Sequence, residues 1–163
     1  MIDTKKYSVT AIGNAMLDLV CEVPDQFLSN ERISKGVMNL VSRERSNNIL
    51  KLVRPIKETA GGSAANTIST LAKLGLKTGY IGKIADDPKG RSFRKDLLNN
   101  SIFYNTEFLD KGFTETTGKC IVLITPDKER TMNTYLGATE FLTDIDIDEE
   151  LIAQSEWLYL EGY

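Results

Sequence analysis

The stretch Gly61-Gly62-Ser63-Ala64-Ala65-Asn66 carries the strongest local signal in the sequence. Two adjacent glycines let the backbone approach a ligand closely, and here they open a predicted helix whose first N–H groups are free to bind. Asn66 lies in the first turn of that helix, where its amide can reach the same ligand. The spacing matches neither the Gly-x-Gly-x-x-Gly dinucleotide loop nor a P-loop. A strand-to-helix turn without a ligand has the same glycines, so the motif alone leaves both interpretations open.

On both sides of this motif, predicted strands alternate with predicted helices. Residues 7–13 and 78–84 are typical of strands, and the helix after the motif ends before Gly75, which suits a positive φ. A second helix is predicted to about residue 100, with Asp87 as its N-cap and Pro88 at its first position. This alternation favours the α/β class.

Two further segments, 14–41 and 105–135, are rich in predicted strands, and neither contains a predicted helix. We expect them to pair as a separate small sheet, a lid over the edge of the main sheet. Their strands are predicted at 17–23, 36–41 and 105–109, and in a hairpin of 119–125 and 130–135 with a four-residue loop. The remaining elements are a helix over 42–53 with Ser42 as N-cap, an acidic helix over 144–155 and a strand from 157.

Composition excludes several classes of function. The net charge is −3 and no basic patch occurs, which argues against a nucleic-acid partner. The sequence has no histidine, which excludes Ser-His-Asp and Cys-His hydrolases and histidine-ligated zinc. No stretch is long and apolar enough for a membrane span, and no secretory signal precedes the first strand. Cys21 and Cys120 are isolated, as in a reducing compartment, so a cytoplasmic location is expected.

Gly13-Asn14-x-x-x-Asp18 is the second candidate site motif. An amide and a carboxylate near the end of a first sheet strand suit a pair of neighbouring hydroxyl groups, and ligands of α/β sheets bind at that edge. Asn and Asp after a strand also serve as turn residues, so this motif too has a purely structural explanation.

Together these motifs resemble the PfkB (ribokinase-like) family of carbohydrate kinases, and more closely its adenosine-kinase-like branch. The matching text occurs in order along the whole chain, in residues 12–18, 61–68, 74–75 and 81–90. Ile68 and Ala85 depart from the family pattern, which often has a small residue and a glycine there. The resemblance implies a partial ribokinase-like three-layer α/β sandwich with a small β-sheet lid.

The resemblance also implies roles for particular residues. Those implied to hold the substrate hydroxyls are Asn14, Asp18, Gly61, Gly62 and Asn66, with Ser63 at the edge of the pocket. Arg130, on the predicted hairpin, resembles a family arginine that moves toward the transferring phosphate; a solvated hairpin charge is its alternative.

Four other residues are assigned to structural roles, although each has a functional alternative. Asp86 and Asp87 are interpreted as helix-start residues and not as metal ligands. Glu161 is expected not to contact the sugar. Met38 is expected to pack in the lid, although a thioether adapts well to a flat ligand.

The resemblance implies in-line phosphoryl transfer with ATP and Mg²⁺, but the family's late Gly-x-Gly-Asp catalytic loop does not occur in this sequence. Residues 1–163 are therefore interpreted as the N-terminal part of one kinase domain, without the ATP-binding and catalytic part. The substrate would be a sugar or a ribonucleoside, and the chain alone would be inactive. Two alternatives remain open: a stand-alone sugar- or nucleoside-binding module, and an interaction domain that forms a homodimer through the lid.

Overall fold

The computed structural model describes residues 5–161, which form eight strands and five α-helices. The strands are β1 (Tyr7–Ile12), β2 (Met16–Glu22), β3 (Met38–Leu40), β4 (Lys57–Gly61), β5 (Thr78–Ile81), β6 (Gly118–Ile124), β7 (Arg130–Tyr135) and β8 (Ser155–Leu160). The helices are α1 (Asp25–Asn30), α2 (Arg43–Leu52), α3 (Ser63–Lys73), α4 (Pro88–Asn99) and α5 (Glu149–Ala153). The strands form two sheets, and the predicted α/β class is confirmed.

The main sheet is parallel and has the strand order β5-β1-β8. Helices α3 and α4 cover one face, where Ile68 and Phe93 pack against Tyr80 in a fully buried cluster. Helix α5 covers the other face, where Leu151 packs with Ile81. The result is three layers, because a parallel sheet needs both of its faces covered.

The lid sheet has the order β3-β7-β6-β2-β4 and combines strands from both segments that were expected to form it. One face is buried under α1 and α2, where Ile49 packs against Leu19 and Ile121. The predicted N-cap of α2 is present, since the Ser42 side chain accepts a hydrogen bond from the Arg45 N–H at 3.1 Å. The opposite face of the lid sheet carries Asp18 and Cys120, which lie opposite each other on β2 and β6.

Several predicted elements are wrong or incomplete. Helix α1 interrupts the segment 14–41, and β4 was not predicted at all. Residues 105–109 do not form a strand; the segment makes a single isolated bridge, between Ala85 and Leu109. The acidic run forms a short 3₁₀ turn followed by α5, which starts late because Asp148 caps it by accepting from the Leu151 N–H at 2.8 Å.

Strand β8 lies at an edge of the main sheet and is unusually apolar for its exposure. Trp157 is 74% exposed and Leu160 is 61% exposed. Strands of parallel sheets are normally covered on both faces, and exposed apolar patches of this kind mark interaction surfaces.

Within residues 5–161, no helix combines the length and hydrophobicity needed to cross a bilayer.

Candidate functional site

The candidate site lies where the parallel strands of the main sheet end. Because β1, β5 and β8 are parallel, their carboxyl ends meet at one edge. Asn14 follows β1 and Glu161 follows β8 at this edge, and the first turn of α3 begins with Ser63. This is the edge at which α/β sheets bind their ligands.

The lid sheet brings Asp18 and the glycine pair together. Strand β4 runs antiparallel to β2, with Gly61 opposite Met16 and Thr59 opposite Asp18. A Cβ atom on Gly61 would lie 2.3 Å from Oδ1 of Asp18. The carboxylate therefore rests directly against the Gly61 backbone, and the two motifs, more than forty positions apart in the sequence, share one site.

Gly62 makes the second close approach. Its φ is +94°, and a Cβ there would lie 2.1 Å from the carbonyl oxygen of Asn14. Only glycine tolerates that combination. The structure thus places four of the residues predicted for the site, Asn14, Asp18, Gly61 and Gly62, in direct proximity.

The first turn of α3 completes the edge of the site. Ser63 and Asn66 are both exposed there. The Ser63 hydroxyl donates to the Glu161 carboxylate, which also accepts from the Tyr159 hydroxyl at 2.6 Å. Glu161 was not expected at the sugar, yet it lies beside a predicted pocket residue; the signal available in the sequence was its place at the end of a strand.

Asp18 is half-buried, and this burial raises the pKa of its carboxyl, while the Arg130 guanidinium lowers it in part. Arg130 itself is exposed at the start of β7. The two side chains lie on the same face of the lid sheet. Asp18 is opposite Cys120, which is opposite Thr134 on β7. Arg130 precedes Thr134 by four residues on that strand, and alternate residues of a strand share a face. The positive charge of the Arg130 guanidinium therefore lies on the face that carries Asp18.

The same face carries a row of side chains that the sequence analysis did not assign to the site. Cys120 and Thr134 lie beside Asp18, and the Thr134 hydroxyl donates to the Cys120 sulfur at 3.4 Å. The next row is apolar and consists of Val20, Val122, Met132 and Met38. Alternation along each strand was the available signal, but it shows which residues share a face only when the register is known.

Asp86 and Asp87 occupy the helix start, as interpreted. Asp87 accepts from the Gly90 N–H at 2.7 Å and caps α4, while Asp86 pairs with Arg91. Among residues 5–161, no group of three or more potential metal-ligating side chains is gathered in one place.

Comparison with known proteins places these features in one family. The pfkB family carbohydrate kinase profile matches residues 28–163. The 5-dehydro-2-deoxygluconokinase of Geobacillus kaustophilus (strain HTA426) is 33% identical over 126 residues, which cover 71% of this chain and 36% of the relative.

Two solved structures have the same fold. The adenosine kinase from Sinorhizobium meliloti superposes with a TM-score of 0.89 at 39% identity, covering 97% of this chain and 48% of that one. A probable sugar kinase from Rhizobium etli CFN 42 gives 0.90 at 35% identity, covering 98% and 48%. The ribokinase-like fold expected from the sequence is confirmed, and the chain spans about half the length of these two proteins.

Proposed function

Because the chain belongs to the pfkB family of carbohydrate kinases, we propose that it forms the substrate-binding half of an ATP-dependent kinase that phosphorylates a hydroxymethyl group of a sugar or ribonucleoside. The observation that supports this proposal most strongly is the contact between Asp18 and Gly61 at the carboxyl edge of the main sheet. It puts a carboxylate acceptor beside exposed groups of a helix start, which suits a polyol.

In this proposal the residues have distinct tasks. Asp18 accepts hydrogen bonds from two neighbouring hydroxyls, and Asn14 and the first turn of α3 bind the rest of the acceptor. Arg130 neutralises charge on the phosphoryl group during its transfer. ATP and Mg²⁺, which supply that group and screen its charge, are held by parts of the kinase beyond this chain.

The exposed strand β8 supports the proposal that more protein packs against this half. Its apolar side chains lie on both faces, and among residues 5–161 no strand pairs with its outer edge. This edge suits a further parallel strand of the kinase sheet. The isolated chain is therefore expected to give no phosphoryl transfer in a coupled ADP-release assay. Measurable turnover would contradict the proposed division of the kinase.

The lid face favours a substrate with a flat apolar part. Met38, Val122 and Met132 line the face next to Asp18, and thioethers adapt to aromatic rings. Val122 is only 2% exposed, whereas Met38 is 49% exposed. A nucleoside base would cover the exposed thioether of Met38, whereas a sugar alone would leave it in contact with water. We therefore expect a ribonucleoside to be the better acceptor.

A chimeric kinase tests the function. It joins this chain to the C-terminal portion of the Sinorhizobium meliloti adenosine kinase that the chain does not cover. We expect ATP-dependent phosphorylation, with kcat/KM higher for adenosine than for ribose or fructose. D18N should lower kcat/KM about a hundredfold, since a charge-assisted contact is lost. D25N, which changes an exposed aspartate on α1, is the control.

The activity of the chimera and of its variants distinguishes the assignment of Asp18, the choice of acceptor and the kinase function from one another. A D18N chimera as active as the parent chimera would overturn the assignment of Asp18 and with it the proposed pocket. A preference for ribose or fructose would overturn the nucleoside assignment and leave the kinase assignment intact. Binding of adenosine without turnover in an active-site-complete chimera would favour the stand-alone binding module.

A homodimer through the lid is a second candidate role, favoured by the apolar edge strand β3. Met38 is 49% exposed and Leu40 is 64% exposed on this strand. Light scattering after gel filtration would give the mass of a dimer for the parent chain and of a monomer for L40K. A cytoplasmic location is proposed with either role, because both cysteines are free and buried.

A further inference from the structure

Asp87 does more than cap its own helix. Besides the Gly90 N–H, its carboxylate accepts from the Thr117 N–H at 2.8 Å and from the Thr117 hydroxyl at 2.9 Å. Thr117 is fully buried, and its hydroxyl oxygen accepts in turn from the Ala85 N–H at 3.1 Å. One carboxylate thus ties the start of α4, in the main body, to the residue that precedes β6, in the lid sheet.

The strand held in this way is a direct neighbour of the candidate site. Residue Gly118, which follows Thr117, pairs with Met16, and Cys120 pairs with Asp18. The same helix also reaches the other neighbour of β2, since the Ala60 N–H donates to Asp96 at 3.2 Å. Helix α4 therefore holds both strands that flank the strand of Asp18.

The attachment is close as well as polar. A Cβ on Gly90 would lie 2.1 Å from the carbonyl oxygen of Ala85 and 2.7 Å from the Thr117 hydroxyl oxygen. The start of α4 and the residue before β6 are therefore in direct contact, so β6 cannot move at this point unless α4 moves with it. Asp86, the adjacent aspartate, takes no part, because it is exposed and pairs with Arg91.

We propose that Asp87 is a positioning residue: by binding Thr117 it fixes the root of β6 on the body and so holds Asp18 at the acceptor pocket. This inference rests on the proposed function for the pocket, but its attachment step is measurable without any substrate. The structure offers a reporter in Cys120, which is buried beside Asp18, three residues beyond Thr117. Cys21, buried on the opposite face of the lid sheet, is an internal reference.

The experiment is pulse labelling of the folded chain with N-ethylmaleimide, followed by tryptic mass spectrometry of the two cysteine peptides. In D87A we expect the labelling rate of Cys120 to rise about tenfold or more, with that of Cys21 nearly unchanged. The labelling rate of a buried cysteine follows the frequency of local opening. Loss of a helix cap and loss of a buried hydrogen-bond acceptor each make local opening about tenfold more frequent. D86A is the matched control and should leave both rates unchanged.

Two further variants keep the test decisive if D87A folds poorly. T117V removes the hydroxyl's bonds to Asp87 and to the Ala85 N–H, but it keeps the bond from the Thr117 N–H to Asp87 and the cap of α4. It should therefore still expose Cys120 selectively. D87N can accept from both the Gly90 N–H and the Thr117 hydroxyl, and its rate should fall between those of the parent and D87A. Equal acceleration of both cysteines, or no acceleration of Cys120, would overturn the inference.

A second measurement connects the attachment to the pocket. In the chimeric kinase, T117V should raise the KM for adenosine several-fold and leave the KM for ATP unchanged. Equal changes in both constants would contradict a positioning role. If the parent chimera shows no activity, the proposed function fails, whereas the labelling result still decides whether Asp87 anchors β6.

Discussion

Replacing Gly61 by alanine tests the contact on which the candidate site depends. The new Cβ would lie 2.3, 2.4 and 2.6 Å from the three atoms of the Asp18 carboxyl group, whereas ordinary contact begins at 3.4 Å. The carboxylate, the strand or both must therefore move by about 1 Å, the difference between those distances. The backbone itself accepts alanine, because Gly61 lies in β4 and is not among the glycines with positive φ.

We expect G61A to lower the free energy of unfolding by about 1–3 kcal/mol, the usual cost of forcing extra atoms into a packed site. Urea unfolding of the isolated chain, followed by circular dichroism, measures this. In a D18A background the colliding atoms are gone, so the same change should be neutral or stabilise by up to about 1 kcal/mol. G112A is the control, because nothing lies within 4 Å of a Cβ at that position.

The comparison of G61A in the parent chain and in the D18A background is a double-mutant cycle, and it tests whether Gly61 and Asp18 are in contact. If G61A lowers the free energy of unfolding equally in the presence and absence of the Asp18 carboxylate, the two residues do not touch and do not share one pocket. If they do touch, the chimeric kinase should also lose acceptor kcat/KM, by up to about a hundredfold, because a displacement of about 1 Å is enough to spoil substrate positioning.

Three further predictions concern charges. Burial raises the pKa of Asp18, so the folded state favours the protonated carboxyl group, and the stability from this group is present at low pH and lost as the pH rises. D18N should therefore be more stable than the parent chain at pH 7, and the difference should disappear near about pH 3. Urea unfolding at each pH measures this difference. The Lys83–Asp146 pair is almost fully buried, with side-chain exposures of 11% and 6%, so D146N should cost about 3–5 kcal/mol in urea unfolding, against less than about 1 kcal/mol for the exposed control D86N. In the chimeric kinase, R130M should lower kcat by about a hundredfold with little change in the KM for adenosine; a change confined to that KM would contradict its role at the phosphate.

Local signals predicted the elements whose causes are local. Ser42 and Asp87 cap the helices they were expected to cap, and Gly75 has a φ of +90° after α3. Each of these depends on a side chain and a backbone group within a few residues of each other. The family resemblance then supplied the arrangement of these elements, which no local signal contains.

Strand β4 could not be predicted in the same way. It begins with Lys57 and Glu58 and has no alternating apolar pattern, because both side chains are exposed at the edge of the lid sheet. Its extended conformation comes from pairing with β2, a partner some forty residues earlier. Tertiary pairing overrides a weak local preference here.

The glycine pair shows how far residue chemistry carries the functional argument. From the sequence, Gly61 and Gly62 were interpreted as leaving room for a ligand; in the fold that room is already filled by the Asp18 carboxylate and the Asn14 carbonyl. A turn that needed glycine only for its shape would fit as well against apolar side chains. Instead the fold holds against it a half-buried carboxylate whose pKa burial raises, an arrangement that costs stability. Ionisable groups held in such unfavourable surroundings are concentrated at functional sites, and the hydroxyl groups of a bound substrate would donate hydrogen bonds to this carboxylate.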